Sequence, residues 1–499
     1  MYKKIFIFAL ILTLLCGLFI ACQSSGDNSK DENKPANDIS PTDETDKPGP
    51  KVYSDGLEGF DFGGYTVRML TGYGTFGQTN TLDVEEETGD TLNDAIYKRN
   101  RKLEERFNVT LTEIGEPDVW NLTGMVQRSV RAESDDYDMV LMIDREAFSL
   151  VCSGNYFYPM EQLPHVNLDN PWWDQNARRM MSIGGRMFFT YGDESVPYFE
   201  YMCLMVFNKD MLKDYALDDP YNLVRNGKWT IDKMYEMAKK VVTDLNSDGV
   251  YDDNDRLGII GTSSYYYPSF WISENILFIE KDENDIPYFN VPGNQKMFTI
   301  MEKLYDYDQQ NVMLNVTRGR TKYTQDGNII ASTKIFAEGE ILFANSSVKM
   351  LADLRSSEVD LGVLPYPKLS EVPAGTDYGT RITSAMPLVI PVTNPDPERA
   401  SVILEAFSCE SKNIVIPAYY NIVLKNKAMR DIESEEMLDM MYNNRYLDLG
   451  DTLFMEAVRD PYSDLYTKNL NTYASLTEKI EANVQRQIDK AVDTYGQIE

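Results

Sequence analysis

The sequence predicts an α/β protein built from parallel, doubly wound sheets with more than one core. Three observations lead there. Downstream of Tyr65, short β-prone runs alternate with helical stretches in the order βαβαβ, and right-handed crossovers make such a series a parallel sheet. Roughly 440 residues follow that point, too many for one compact core and comfortable for two. The chain ahead of it reads as an export signal and a solvated tether, so the alternation belongs to a separate folded body.

Lys3 and Lys4 open the 499-residue chain with positive charge, and Ile5 to Ile20 is an almost unbroken apolar run. That run is long for a signal peptide and short for a spanning helix. It ends in Phe19-Ile20-Ala21-Cys22, and a small residue directly before a cysteine is the cleavage pattern of bacterial lipoproteins. On this reading residues 1–21 are removed and Cys22 carries a lipid; an ordinary signal peptide and an uncleaved anchor are the alternatives. Residues 22–57 are rich in Ser, Asp, Asn, Lys, Pro and Gly and poor in apolar side chains. Such a segment cannot bury enough surface to offset its ordering entropy, so it is expected to be a disordered tether.

The folded body begins with a β-prone run, Thr66 to Leu70. A helix follows over Thr91 to Phe107, where Leu92, Ile96, Leu103 and Phe107 recur at helical spacing and Asp90 or Thr91 caps the start. Asn108 breaks it, and Val109 to Ile114 alternates apolar and polar as a strand does. A helix over Leu122 to Ala132 and a strand over Asp138 to Ile143 complete the first block. In the second block, Gly185 to Thr190 and Met202 to Phe207 read as strands, Asn208 starts a helix and Thr230 caps another. Strand character returns at Leu257 to Gly261, Phe336 to Phe343, Val359 to Pro367 and Met386 to Val392. A polar amphipathic helix follows Ser475.

The formal net charge is −31 with a pI near 4.5, which argues against nucleic acid, whose phosphates such a surface repels. Of five cysteines, Cys16 leaves with the signal and Cys22 is the anchor. Cys152, Cys203 and Cys409 show no metal-ligand spacing, and whether two of them pair is open. The single histidine, His165, sits in a Pro-rich loop and gives a His-based relay nothing to build on. No pair of carboxylates stands out as an acid and a base, so the sequence does not read as an enzyme.

Asp244 to Asp255 matches the twelve-position calcium loop. Side-chain oxygens stand at Asp244, Asn246, Asp248 and Asp252, a backbone carbonyl at Val250, a closing carboxylate at Asp255 and a turn glycine at Gly249. A hard cation needs six or seven oxygens, so the expectation is a structural Ca2+ clamp; a solvated Asp/Asn/Gly turn is the bland alternative. Gly72-Tyr73-Gly74-Thr75-Phe76-Gly77 fits G-x-G-x-x-G, yet the next helix starts too far downstream to present its N-terminus to a pyrophosphate. The better reading is a loop at the carboxyl end of a strand, where doubly wound sheets present ligand-contacting groups; Tyr73 is the candidate there. Asp144 and Arg145 follow the strand Asp138 to Ile143 and lie at the same end.

Asn208-Lys209-Asp210-Met211-Leu212 followed by Gly227-Lys228-Trp229-Thr230 resembles the signature of bacterial extracellular solute-binding proteins of family 1, the maltose-binding-protein-like receptors of ABC transporters. Phe336-Ala337-Glu338-Gly339 with Phe343, then Leu361-Gly362-Val363-Leu364-Pro365, is similar to the family's later block. Leu103 to Val109, Tyr137 to Val140 and Met386 to Pro395 add to it. The resemblance implies a two-lobed periplasmic-binding-protein-like fold of type II, each lobe a doubly wound sheet with flanking helices and the ligand cleft between them. It places residues 58–195 with 385–440 in one lobe and 196–384 with 441–499 in the other, crossing near Ser195 to Glu200 and Thr380 to Ser384.

The same resemblance implies cleft residues. Tyr198 and Glu200 border the cleft at the first crossing, and Tyr267 and Trp271, in the run Tyr265 to Trp271, supply rings for stacking on a sugar, with core packing the alternative for each. The implied function is capture of a sugar or oligosaccharide by a monomer held to the membrane through Cys22. Delivery would be to the transmembrane permease subunits of an ABC importer and its nucleotide-hydrolysing pair. A peptide or other solute on the same scaffold, an exported hydrolase, and a calcium-stabilised polysaccharide-binding surface protein without transport are the rival readings.

Overall fold

A computed structural model describes residues 51–74, 81–424 and 431–498. Residues 1–50 lie outside this set, and with them the signal reading, Cys22 and most of the tether. Val52 onward forms one compact unit. Residues 53–57 are not tether, as the sequence led us to expect, but the first piece of the body. The Tyr53 N–H donates to Asn413 Oδ1 at 2.9 Å, and Arg106 grips the Asp55 carboxylate with both terminal nitrogens at 2.7 and 2.5 Å. A bidentate, charge-assisted pair of this kind offsets the ordering entropy that composition alone does not reveal.

The described residues hold thirteen strands: β1 (Tyr65–Gly72), β2 (Val109–Glu116), β3 (Met139–Leu141), β4 (Cys203–Asn208), β5 (Leu257–Gly261), β6 (Ile279–Lys281), β7 (Pro287–Phe289), β8 (Met313–Asn315), β9 (Ile341–Ser347), β10 (Leu361–Leu364), β11 (Thr380–Arg381), β12 (Leu388–Val389) and β13 (Arg445–Tyr446). Two main sheets result, in the orders β12-β3-β1-β2 and β10-β4-β9-β5-β8. In the first, β1 pairs in parallel with β2 and β3, and β12 returns antiparallel on β3. Met69, Leu70 and Thr71 are buried in succession on β1, because helices cover both faces of a parallel strand.

Local chemistry sets the flanking elements. Asp90 caps α1 (Thr91–Phe107) by accepting from the Leu92 and Asn93 N–H groups, and Asn108 ends it at φ 51°. The remaining first-lobe helices that matter here are α2 (Leu122–Arg131), α3 (Asp144–Ser153) and α4 (Gln175–Met181). In the second lobe Asn208 caps the helix Lys209–Asp214 and Thr230 caps Ile231–Lys239, both through side-chain oxygens. Gly185 to Thr190, expected as a strand, is instead a turn and loop. Gly184 and Gly185 adopt φ of 59° and 77°, which bends the chain back on itself at Ile183 and Arg186. Phe336 falls in the helix Asn328–Ala337 ahead of β9.

Three passes of the chain run side by side between the lobes. The first is α5 (Val196–Glu200) and Tyr201-Met202, which bridges Ile382 of the second pass; the Thr383 N–H donates to Tyr201 O at 3.3 Å. The third is β13, parallel to β11. The helix Ile432–Asn443 packs on the second sheet, where Tyr221 and Ser434 hydroxyls meet at 2.7 Å and Lys209 pairs with Asp431. The lobe boundary expected at residue 440 therefore moves upstream of Asp431. The C-terminal helix Tyr473–Gln497 serves both lobes: Gln485 accepts from the Phe289 N–H at 3.4 Å, and Tyr495 packs on Phe148 and Phe188.

Candidate functional site

β3 ends at Leu141, and its carboxyl end delivers Asp144 and Arg145 into the first turn of α3, a position fixed by the Asp144 N–H donating to Ala385 O at 3.0 Å. The Asp144 carboxyl is buried. It accepts from the Arg145 N–H at 2.8 Å and the Tyr191 hydroxyl at 3.4 Å, and burial pushes its pKa up to about 7. Arg145 turns the other way. Its guanidinium lies 4.7 Å from the ring centre of Trp120, and the nearest carboxylate, Glu146, stands 4.0 Å off. Stacking on an indole orients the guanidinium while leaving its N–H groups directed outward.

Arg145 heads a groove of about 430 Å³ that runs down one face of α3, past Glu146, Phe148 and Cys152. Its opposite wall is Leu453 to Ala457 together with Gln487 and Lys490 of the C-terminal helix. Phe148 and Phe454 meet edge to face across the floor, centres 5.1 Å apart. Glu146 is held in place by the Thr123 hydroxyl at 2.8 Å. The lining thus pairs aromatic and aliphatic surface with guanidinium, carboxylate, amide and ammonium groups at the edges. These are the elements that hold a polyhydroxylated ring. The Cys152 thiol, pushed up to about 11 by burial, supplies no thiolate near neutral pH.

The segment after β13 is anchored to the second crossing and to the second lobe. Arg381 and Asp451, both fully buried, form a bidentate pair at 2.6 and 2.7 Å, and Arg381 also donates to the Ser264 and Tyr265 carbonyls at 2.9 and 3.1 Å. Asp448 accepts from the Phe278 and Ile279 N–H groups at 2.6 and 3.2 Å.

The structure brings Arg145 to the head of the groove and places the other expected ligand contacts elsewhere, Asp144 among them, whose buried carboxyl faces Tyr191 and does not line the groove. Tyr73 lays its ring over Gly115 at the end of β2, where any Cβ would collide with it, and does not line the groove. Tyr198 is buried, its hydroxyl donating to Asp174 at 2.8 Å, in a hinge cluster that Arg445 completes by pairing with Asp174 at 3.0 Å. Glu200 is buried too, accepting from the Tyr419 hydroxyl at 2.9 Å. Tyr267 belongs to the second-lobe core, stacked on Tyr466 at 3.5 Å with its hydroxyl on Asp308. Trp271 is likewise interior, edge-on to Phe278. The corrections at Tyr267 and Trp271 share one cause: an aromatic after a strand end fits a core as well as a cleft, and Tyr466 and Phe278 close over this one. Trp120, Phe148, Phe454, Gln487 and Lys490 escaped the sequence reading, because they meet only through contacts distant in the chain.

The Asp244 to Asp255 loop is closed at its neck by reciprocal hydrogen bonds between Thr243 and Arg256 at 3.0 and 3.1 Å. Asp244 accepts from the Ser247 and Gly249 N–H groups at 2.6 and 2.9 Å, and Asp255 from those of Leu245 and Asp252 at 2.9 and 3.1 Å. Gly249, at φ 81°, makes the sharp turn. Asn246, Asp248 and Asp252 likewise accept from the backbone N–H groups of Asp248, Val250 and Asn254 at 2.9, 2.7 and 2.8 Å. No three His, Cys, Asp or Glu side chains converge as metal ligands among the described residues.

No protein-family model matches the chain, and no curated protein matches it in sequence. Solved structures do match in fold. The sugar-binding protein MalE of Xanthomonas citri aligns at a TM-score of 0.58 over 87% of this chain and 99% of that one, with 12% identity. A sugar transporter protein of Rhizobium etli in an open conformation aligns at 0.55 over 87% and 100%, also with 12% identity. An ABC substrate-binding protein of Listeria monocytogenes in complex with cycloalternan aligns at 0.53 over 85% and 99%, with 11% identity. The chain therefore has the two-lobed α/β fold of the solute-binding proteins. Within that class its likeness is to the maltose-binding-protein-like receptors, as the sequence motifs had suggested.

Proposed function

We propose that this protein is the sugar-capturing receptor of an ABC importer, tethered outside the cell through a lipid on Cys22 and handing its ligand to the permease. The observation that carries the reading is the groove along α3, where the Arg145 guanidinium, oriented by Trp120, stands beside aromatic surface at the carboxyl end of β3. The fold and the ligands named for its structural neighbours support a sugar. The export signal, the basic start and the Ala21-Cys22 junction support the anchor. Ligand bridging the lobes stabilises the closed form through contacts present only there.

The test is a thermal-shift screen of the full chain in detergent against maltose, maltotetraose and cycloalternan, with Arg145→Ala beside the parent. A saccharide that binds raises the melting point by mass action, and Arg145→Ala is expected to weaken it at least about tenfold. No shift with any of the three, but one with a peptide library, removes the sugar. A first residue other than lipid-modified Cys22 in the mass spectrum removes the anchor.

We also propose that Asp244, Asn246, Asp248, Asp252, Asp255 and the Val250 carbonyl hold Ca2+ as a clamp between the helix Ile231–Lys239 and β5. The twelve-position spacing and the glycine turn support it. Calcium at a hundredfold excess over its Kd is expected to add about 2.7 kcal/mol to stability. Equal unfolding curves in calcium and in EDTA, with no heat of binding, would end the clamp proposal.

A further inference from the structure

The hairpin β6–β7 leaves the second lobe and ends on the first. Its root is second-lobe structure: Phe278 stacks with Tyr462, and Asp448 holds the Phe278 and Ile279 N–H groups. Its tip, Asp282 to Ile286, is a tight turn in which the Asp282 carboxylate accepts from the Asn284 and Ile286 N–H groups, both at 2.9 Å. The surface it meets is the turn Ser182–Gly185. That turn moves with the first lobe, since the Met160 N–H donates to Met187 O at 2.7 Å and the Tyr158 N–H to Ile390 O, beside β12, at 2.9 Å.

The junction is dense. The Gly184 N–H donates to Asp285 O at 2.9 Å and the Gly185 N–H to Asp285 Oδ2 at 2.8 Å. The Ser182 hydroxyl donates to Asp285 Oδ1 at 3.0 Å, and Lys281 Nζ donates to Ser182 Oγ at 2.8 Å and Ser182 O at 3.1 Å while pairing with Asp285 itself. Lys281 and Asp285 are side by side and half-buried, so the contact is more than a loose surface ion pair. Behind it lies a void of about 390 Å³ between α4 and the hairpin, bounded by Arg179, Met180, Leu277 and Ile279 and reaching Tyr446 of the third crossing. The groove along α3 shares none of these residues.

We infer that the β6–β7 hairpin is a clasp between the lobes, with Asp285 and Lys281 as its catch, that holds the closed arrangement without ligand and must release before the lobes part. It binds no ligand itself, so it stands or falls apart from the sugar reading.

Two variants test it. Asp285 sits at φ 62°, a conformation that Asn tolerates, so Asp285→Asn removes the charge and one acceptor without straining the turn. Lys281→Met removes the other half of the catch. In the full chain in detergent, with Cys152→Ser so that the buried Cys203 and Cys409 are the remaining free thiols among the described residues, spin labels go on exposed positions of the two lobes through Glu105→Cys and Lys239→Cys. The parent is expected to show one short distance, and both variants a second, longer population. Hydrogen exchange at Gly184 and Gly185 is expected to quicken about tenfold or more, the scale of losing a charge-assisted bond, with the melting point nearly unchanged. Identical distance distributions in parent and both variants overturn the clasp, even if exchange at the two glycines speeds up. The hairpin would then only rest on the first lobe.

Discussion

Arg381→Met is expected to cost about 3–5 kcal/mol of unfolding free energy at pH 7, because it leaves a carboxylate buried without its partner. Both side chains of the Arg381–Asp451 pair are wholly buried. The guanidinium meets both Asp451 oxygens, and its remaining donor spans the Ser264 and Tyr265 carbonyls. Removing it strands Asp451 in a low-dielectric interior beside Asp448, and Asp144 already feels the Asp451 charge. The stranded carboxyl would then hold its proton to a higher pH in the folded than in the unfolded state. The variant should therefore recover stability as the pH falls and lose it as the pH rises. The double variant Arg381→Met, Asp451→Leu removes both charges and is expected to regain most of the loss, since a well-packed apolar pair often replaces a buried ion pair at little cost. Urea unfolding of the three proteins at pH 5.5 and 7.5 decides it. A single variant that loses under about 1 kcal/mol would mean that water reaches the pair and that it does not lock the crossing.

That pair also shows where sequence reading stops. Its members lie 70 residues apart, on a two-residue strand and in a loop with no periodicity, so no local pattern joins them. What short-range chemistry dictates was legible: Asp90, Asn208 and Thr230 each cap the helix that their position announced. The strand ends carrying Asp144 and Arg145 followed from topology, because a parallel sheet presents its carboxyl ends on one side. The aromatic candidates failed for the converse reason. Tyr267 and Trp271 sit after a strand end, as a cleft residue must, but Tyr466 from far along the chain and Phe278 at the root of the next hairpin turn that end into core. Tyr198 and Glu200 do stand at the first crossing. Their hydroxyl and carboxyl groups are taken by Asp174 and Tyr419, so they belong to the hinge and not to the groove. The opposite wall of the groove comes from Leu453 to Ala457 and the C-terminal helix, whose sequence carries only an ordinary amphipathic signal.

Glu194→Gln is expected to flatten the decline of stability between about pH 5 and pH 8. Glu194 stands at the entrance to the first crossing and is fully buried. Its Oε1 accepts from the Thr190 hydroxyl at 3.3 Å, and its Oε2 is pressed toward Gly192 without a hydrogen-bond partner. Burial pushes its pKa up to about 8; the nearby Arg445 guanidinium is committed to Asp174 and offers only a distant attraction. In the unfolded chain the same carboxyl releases its proton near its ordinary value of about 4.3. Between those two values the folded state binds more protons than the unfolded one. Stability is therefore complete below the lower value and is lost as the pH climbs toward the upper, at up to about 1.4 kcal/mol per pH unit for this one group. Gln keeps the shape and carries no proton to lose. Unfolding free energies of parent and variant should thus converge near pH 5 and separate in the variant's favour toward pH 8. A residual slope should remain in the variant up to about pH 8, because burial raises Asp144 and Glu405 to about 7 and Asp448 to about 8 in the same direction. Parallel curves across the whole range would show that Glu194 is ionised in the folded protein throughout. The polar entrance to the crossing would then be solvated and free to rearrange as the lobes move.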